Sequence, residues 1–343
     1  MRPKKINLAL QGGGAHGAFT WGALDCLLAD ERIEIAGMSG TSAGALNGAA
    51  LKAGMLKGGR DGARENLNWL WSQVASSQTT ALNQWLTSIG PAGVSQAIGA
   101  SLPYMMGEAF TRMVSPYALG PFYNNPLRDI VKQFDFDKVC ADEGPKLFIN
   151  ATRVRNGKLR VFSAEEVTTD AILASACLPT MFQAVEMFDT ETGQTEAFWD
   201  GGYTGNPALF PLFDDSLPED IVVININPLE RKDLPTTPQQ IQNRLNEISF
   251  NSSLLREMRA IDFVQRLLED GTLMPGRMAQ VYTHMIADDA LMNDLSIATK
   301  SVPNGFIIET LKDAGFAATQ AFLDNHFDDL NMRSTLKLRD MFA

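Results

Sequence analysis

Apolar segments of two different periods alternate along the first 55 residues, separated by glycine-rich turns. The run from Ile6 to Leu10 has the length and composition of a short buried strand, and apolar residues between Ala15 and Leu28 recur at helical spacing. The order then repeats, with a strand predicted over Ile33 to Met38, a sharp turn at SGTSAG and a helix over Ala43 to Met55. Repeated strand–turn–helix units predict an α/β fold with a largely parallel central sheet flanked by helices.

The rest of the chain extends this pattern. The segment RVRNGKLRVFS predicts a hairpin that turns at Asn156-Gly157, TEAFWDGG predicts a strand that ends in a glycine turn, and DIVVININP predicts a buried parallel strand. A helix is expected from Thr169 to near Pro179. Beyond Pro228 we expect mainly helices, because apolar residues from Ile248 to Leu268 trace one helical face.

One long stretch is almost free of charge. From Asn66 to Gly107, 42 consecutive residues include no Asp, Glu, Lys, Arg or His, and only Glu108 and Arg112 interrupt the stretch up to Leu127. Its large side chains are Trp69, Trp71, Trp85, Tyr104, Met105, Met106, Phe110 and Met113. Short apolar pieces joined at Pro and Gly fit two interpretations, an insertion packed into the core or a cap and interfacial surface over a site.

The composition excludes several classes of function. Lys and Arg number 29 against 40 Asp and Glu, so the formal net charge is −11, which disfavours nucleic-acid binding because that function needs clustered cations. Three scattered cysteines without metal-ligand spacing indicate free thiols in a reducing compartment. The N-terminal apolar run is too short for a signal peptide, and no run of about 18 apolar residues predicts a membrane span. We therefore expect a cytoplasmic protein without a metal or cofactor.

The turn GTSAG is the first candidate for chemistry. It places Ser42 between Gly40 and Gly44, after a predicted strand and before a predicted helix. This is the pattern of a nucleophile elbow, G-x-S-x-G, in which a tight turn excludes flanking side chains and exposes the serine hydroxyl. The N-terminus of the following helix also favours developing negative charge. Ser42 is the predicted nucleophile.

A serine hydroxyl needs a base to take its proton. Asp200 ends a predicted strand, and Gly201 and Gly202 behind it allow its carboxylate to approach another loop at the same edge of the sheet. Asp200 is therefore the predicted base. For the histidines, a structural or solvated role is the simpler interpretation; they are His16 in the first glycine turn, and His284 and His326 in helical or acidic surroundings.

Acyl transfer also needs donors for the oxyanion that forms when a carbonyl is attacked. Gly12, Gly13 and Gly14 stand at the entrance to the first predicted helix, and no side chain screens their N–H groups. We predict that these three residues form the oxyanion hole. All three turns follow predicted strands, and sites in open α/β sheets form at the carboxyl ends of strands.

At these residues the sequence resembles the patatin-like phospholipases, also called patatin-like acyl hydrolases. The chain has GGGAHG at Gly12 to Gly17, GTSAG at Gly40 to Gly44 and DGG at Asp200 to Gly202, in the order of the family pattern. The resemblance spans roughly Lys4 to Pro228. One departure is His16, where many members carry Arg or Lys in the glycine loop.

The resemblance implies a three-layer fold and a Ser–Asp dyad. Ser42 would attack an acyl carbonyl, Asp200 would take its proton, and water would release a fatty acid from the acyl-serine. The implied substrate is a lipid ester, reached by transient contact with a membrane or lipid-granule surface. Because Ser42 and Asp200 must meet, we expect one domain, with a core over residues 1–228 that includes a cap-like insertion over 66–127, and a helical portion over 229–343 packed on the core.

Three alternatives use the same residues. The glycines of the first turn also spell the dinucleotide fingerprint G-x-G-x-x-G, but Glu34 lies inside the second predicted strand and not at its end, where that fold needs an acid. A Ser–Asp–His esterase would use His284, although that fold inserts several strands between its oxyanion loop and its serine. A non-catalytic scaffold would use the uncharged surface for self-association or lipid contact.

Overall fold

The structure is a computed structural model that describes residues 2–75, 90–231, 233–274 and 278–342. The strands of this part of the chain are β1 (Lys4–Leu10), β2 (Ile33–Gly40), β3 (Lys146–Arg153), β4 (Leu159–Ser163), β5 (Val185–Asp189), β6 (Gln194–Asp200), β7 (Asp220–Ile224) and β8 (Tyr282–Ile286). They form one sheet in the order β5-β6-β3-β2-β1-β7-β8, and β4 also pairs with β3.

The sheet is mixed and mostly parallel through its centre. β1 pairs in parallel with β2 and β7, and the β2–β3 and β7–β8 pairs are parallel as well. β3 pairs antiparallel with β4 and β6, and β5 with β6. The predicted hairpin at Asn156-Gly157 is confirmed as the β3–β4 connection, with Gly157 at a φ of 65°. The predicted α/β fold with a largely parallel sheet flanked by helices is confirmed.

Helices cover both faces of this sheet. They are α1 (Gly17–Ala29), α2 (Ala43–Ala75), α3 (Gly90–Gly99), α4 (Leu102–Met113), α5 (Arg128–Val131), α6 (Phe136–Val139), α7 (Thr169–Ser175), α8 (Pro238–Glu269), α9 (Asp289–Asp294), α10 (Ile297–Ser301) and α11 (Gly305–His326). Leu8 and Val222 belong to the core shared with α1, α2 and α11, whereas Ala9 and Val223 belong to the core shared with Leu254 of α8. Successive residues of each central strand thus enter opposite cores, as the strand period of two requires.

The chain beyond Pro228 is mainly helical, as predicted, but it also contributes a strand that the sequence analysis missed. β8 pairs with β7 over its full length. His284 lies in this strand, fully buried, and not in the helical or acidic surroundings that were expected. α11 packs against α1 so closely that a Cβ on Gly315 would collide with the carbonyl of Phe19.

The uncharged stretch divides into a buried part and an exposed part. α2 breaks at Gly58 and Gly59, and its second limb runs back beside the first, with the Asn66 amide donating to the Ala50 carbonyl at 2.7 Å. On this limb the core-packing interpretation is confirmed for Leu67, Leu70 and Trp71, which are buried. Along α4, the exposed apolar residues are Leu102, Met105, Met106, Phe110 and Met113. Residues 76–89, with Trp85, lie outside the described residues.

Candidate active site

Ser42 lies in a sharp turn between β2 and α2. Its φ of 54° is in the left-handed region that residues other than glycine seldom adopt. The glycines on either side are required by close packing: a Cβ on Gly40 would lie 2.7 Å from the backbone of Gly44, and a Cβ on Gly44 would collide with the carbonyl of Leu10. The segment thus has the strained, side-chain-free geometry that the G-x-S-x-G pattern predicts.

Asp200 reaches Ser42 because β2 and β6 share one edge of β3. Along that edge Gly40 is paired with Ile149 and Asp200 with Ala151, while β4 occupies the opposite edge. β2 and β6 therefore point at each other from opposite directions, with ends only two β3 residues apart, or about 7 Å. The sequence analysis expected the two turns to meet at one sheet edge, and the antiparallel β6 brings them together head-on.

The Asp200 carboxylate is buried and incompletely hydrogen-bonded. Its Oδ1 accepts a hydrogen bond from the Gly202 N–H at 2.8 Å, while its buried Oδ2 has no hydrogen-bond partner among the described residues. Burial raises the pKa of Asp200 to about 7, although the Gly202 N–H and the neighbouring Ser42 hydroxyl act in the opposite direction. The pKa of Asp200 thus lies well above the ordinary value of about 4 for a carboxyl, because the effect of desolvation is the largest of the three.

The glycine loop lies directly beside the Ser42 turn. A Cβ on Gly12 would come within 2.8 Å of the Ser42 Cβ, and a Cβ on Gly17 within 2.6 Å of the Ala43 Cβ. The Gly12 N–H donates to Asn206 Oδ1 at 2.7 Å, so it is already engaged and does not fit the predicted oxyanion role. Gly13 and Gly14 line the same cavity as Ser42, and in the described residues their N–H groups donate to no protein acceptor.

His16 takes no part in this cavity. Its ring is fully buried, and Nε2 lies 2.8 Å from the Thr299 hydroxyl. Burial, followed by the positive charges of Lys300 and Arg231, holds the pKa of His16 well below its ordinary value. The glycine loop therefore carries no positive charge of its own at neutral pH.

A turn that the sequence analysis did not single out holds both Ser42 and Asp200. Ser175, the last residue of α7, accepts a hydrogen bond from the Ser42 N–H through its Oγ at 2.9 Å. Two residues later, the Cys177 carbonyl accepts the Asp200 N–H at 2.8 Å. Its only sequence signal is the run of small residues ASAC at the end of a predicted helix, and this run does not reveal its partners.

One cavity of about 530 Å³ contains these groups. Ser42 and Asp200 share its wall with Gly13 and Gly14. Its apolar lining includes Leu46, Leu70, Trp71, Ile130, Leu178 and Phe182. Its polar lining includes Asn227, Asn243, Asn246, Glu247 and Lys300. None of the histidines in the described residues lines it.

The family model for patatin-like phospholipases matches residues 8–213, which is more than half of the chain. The chain is a member of the patatin-like phospholipase family. The enzyme class predicted from the motifs, a lipid ester hydrolase, is therefore confirmed at the level of the family. No curated protein matches the sequence.

Two solved structures of low sequence identity were compared with this patatin-like chain. VipD from Legionella pneumophila is 14% identical, with 95% of this chain and 67% of VipD covered and a TM-score of 0.40. ExoU, solved in its heterodimeric complex with SpcU from the type III secretion system of Pseudomonas aeruginosa, is 15% identical, with a TM-score of 0.37. That match covers 95% of this chain, which spans about half, 52%, of the other.

The structure of this patatin-like chain disfavours two of the alternatives, the Ser–Asp–His triad and dinucleotide binding. His284 has both ring nitrogens engaged away from the cavity, with Nε2 2.9 Å from Asp220 and Nδ1 3.0 Å from Thr335, which disfavours a Ser–Asp–His triad. Glu34 forms an ion pair with Lys5 at the start of β2, far along the strand from the glycine loop, which disfavours dinucleotide binding. Among the described residues no cluster of side chains could hold a metal ion, and no helix is both long and apolar enough to cross a bilayer.

The buried carboxyl predicts a pH profile near neutrality. If ionised Asp200 is the base, kcat/KM for p-nitrophenyl butyrate should be half-maximal near pH 7, falling about tenfold per pH unit below it. Since the folded-state pKa of Asp200 lies above the unfolded value, the contribution of this group to the free energy of unfolding is greatest below about pH 4 and is lost as the pH rises through 7. Asp200→Asn should then unfold at a higher temperature than the wild type at pH 8. Activity that stays constant from pH 5.5 to 8 would contradict this assignment.

Removal of the Ser175 hydroxyl should slow catalysis without altering this profile. Ser175→Ala leaves the buried Ser42 N–H without an acceptor, so the strained turn relaxes, and we expect kcat to fall about 10- to 100-fold with little change in KM. The pH midpoint should stay near 7, because Asp200 keeps its surroundings. Thr319→Val, which removes a buried hydroxyl from α11, is the matched control. Equal activity of the two variants would show that Ser175 has no positioning role.

Proposed function

We propose that the chain hydrolyses acyl esters of lipids with a Ser42–Asp200 dyad. The observation that carries this proposal is that both side chains line one cavity with the glycine loop, and that no histidine of the described residues lies there. Asp200 takes the proton of the Ser42 hydroxyl as the oxygen attacks the acyl carbonyl. The alcohol leaves with a proton from Asp200, and the acyl group stays on Ser42. Asp200 then takes a proton from water as the water oxygen attacks the acyl-serine; the fatty acid is released, and the proton passes from Asp200 back to the Ser42 oxygen.

The surroundings of Asp200 suit a base that works at neutral pH. A general base is most effective when its pKa is near the working pH, and burial raises the pKa of Asp200 to about 7. Its Oδ2 has no protein donor among the described residues, so this oxygen is available to a proton from Ser42 or from water. We assign oxyanion stabilisation to the N–H groups of Gly13 and Gly14, because that of Gly12 is engaged by Asn206.

The dyad predicts the effect of two substitutions. Ser42→Ala removes the nucleophile and Asp200→Asn removes the base, so each should reduce hydrolysis of p-nitrophenyl butyrate by about a thousandfold or more. Ser42→Ala should also abolish labelling by a fluorophosphonate probe. His284→Ala, measured beside them, should retain turnover if it folds. Substantial turnover in Ser42→Ala, with the purified protein folded, would refute the proposal. Folded wild type that neither turns over the ester nor reacts with the fluorophosphonate probe would favour the scaffold alternative.

We propose further that α4 contacts the lipid surface that presents the substrate. Leu102, Met106 and Phe110 are exposed along this helix, which lies in the uncharged stretch. The segment that follows α4 is tied to the cavity rim, because the Tyr117 hydroxyl accepts the Ala184 N–H at 3.0 Å and Phe182 lines the cavity. α4 contains one acidic and one basic residue, Glu108 and Arg112, so it has no net charge; on a chain of net charge −11 such a helix fits a zwitterionic surface better than an anionic one.

Adding charge to α4 should weaken binding to a lipid surface without changing turnover of a soluble ester. Met106→Asp with Phe110→Asp should reduce binding to phosphatidylcholine vesicles about tenfold or more, since each buried side chain contributes about 1.5–3 kcal/mol. Turnover of soluble p-nitrophenyl butyrate should be unchanged. Met332→Asp, at an exposed methionine outside α4, is the control for added charge. Vesicle binding equal to that of the control would exclude α4 as the contact.

A further inference from the structure

A largely buried lysine lines the catalytic cavity. Lys300 lies near the C-terminus of α10, outside the residues matched by the family model. Its Nζ donates to Asn227 Oδ1 at 3.0 Å and lies 3.2 Å from Glu247 Oε1. The side chain is 13% exposed and lines the same cavity as Ser42.

Positive charge is in excess around this lysine. Glu247 pairs with Lys300, with Arg231 at 2.5 Å and with Arg244 at 3.4 Å, so three cations share one carboxylate. Although burial opposes the effect, Lys300 and Arg231 lower the pKa of Glu247 to about 2. The strongest electrostatic neighbours of Lys300 are this carboxylate and two guanidinium groups. A cluster of this composition favours a further anion.

The residues around Lys300 contact the glycine loop directly. Asn227, the partner of Lys300, also donates to the Gly12 carbonyl at 2.7 Å. A Cβ on Gly14 would come within 2.5 Å of the Lys300 carbonyl, so loop and lysine backbone are in contact. An ester carbonyl directed at Gly13 and Gly14 would therefore have its alcohol side or its acyl side close to Lys300. Because the cavity has an extensive apolar lining that suits the acyl chain, we place the acyl chain against it and the alcohol side at the lysine.

We propose that Lys300, with the side-chain amides of Asn243 and Asn246 in the same cavity lining, forms a subsite for the phosphate oxygens of a glycerophospholipid and so selects charged over neutral acyl esters. This assignment rests on the proposed function and deepens it. Lysine binds phosphate as a point charge, and amide N–H groups supply further donors. The subsite comes from the C-terminal portion and supplies the positive charge that His16 does not provide in the glycine loop.

The test compares three substrates in wild type and in Lys300→Met. They are phosphatidylcholine and diacylglycerol with the same acyl chains in mixed micelles, and p-nitrophenyl butyrate. A charged hydrogen bond contributes about 1.5–3 kcal/mol, so kcat/KM for phosphatidylcholine should fall about 10- to 150-fold in the variant. Turnover of the two neutral esters should change less than about twofold. Lys300→Arg should keep most of the phospholipid activity.

A second buried lysine provides the matched control. Lys52 donates to the Ala141 carbonyl at 2.6 Å and does not line the cavity, so Lys52→Met should not change the ratio of phospholipid to diacylglycerol turnover. Equal loss on all three substrates in Lys300→Met, or no loss, would overturn the subsite. Inhibition by inorganic phosphate that Lys300→Met abolishes, without any change in lipid preference, would assign the site to free phosphate instead.

Further outcomes distinguish failure of the Lys300 subsite from failure of the Ser42–Asp200 dyad. If Lys300→Met does not fold, wild type alone decides, because a preference for diacylglycerol over phosphatidylcholine would overturn the subsite. If wild type hydrolyses none of the three esters, the proposed function fails first, and the subsite fails with it. Turnover that depends on Ser42 but not on Lys300 would leave the dyad intact and remove only the subsite.

Discussion

The arrangement of the site depends on one strand edge shared by two strands. β2 arrives along β3 in parallel and ends at Gly40, and β6 arrives along the same edge antiparallel and ends at Asp200. Backbone hydrogen bonds fix both registers, so the separation of the two turns is set by the sheet and not by the loops. A one-residue slip of either strand would turn its side chains to the other face of the sheet. The proposed nucleophile and base are therefore placed by the hydrogen-bonded sheet.

Because its strand is fixed in the sheet, the Asp200 carboxylate can be held in a buried position. A rise of the pKa from 3.8 to about 7 corresponds to on the order of 4 kcal/mol against the charged form. Gly202 offsets part of this cost through its N–H, and a Cβ there would meet the ring of Phe250 at 2.8 Å, which explains why glycine is needed. The remaining cost favours the protonated form of Asp200, and in the proposed mechanism proton transfer to Asp200 is the step that activates Ser42.

The sequence was informative where geometry leaves a local signature. A Cβ on Gly40, Gly44 or Gly201 would meet backbone atoms at 2.7, 2.1 and 2.1 Å, and the glycines that avoid these contacts are visible in the sequence, so the motifs could be recognised without a structure. The raised pKa of Asp200 could not be predicted from the sequence, because the residues that bury this carboxylate are distant in sequence. Ser175 is 133 residues from Ser42, and no local pattern connects them. The engagement of Gly12 by Asn206 was missed for the same reason.

β8 was missed because its polar residues conceal a buried strand. His284 and Thr283 interrupt the apolar run YTHMI, and only Asp220 and Thr335, which satisfy the imidazole, make its burial acceptable. This strand also explains why we propose one domain over the whole chain.

The portion beyond Pro228 completes the molecule in three places: it adds β8 to the edge of the sheet, α11 packs across α1, and α10 brings Lys300 against the glycine loop. A core ending at residue 228 would expose the edge of β7 and leave one wall of the catalytic cavity open to water. Water at that wall would hydrate Asp200 more fully and lower its pKa toward that of an ordinary carboxyl. The C-terminal portion would therefore influence the chemistry of the proposed Ser42–Asp200 dyad, although it supplies neither residue.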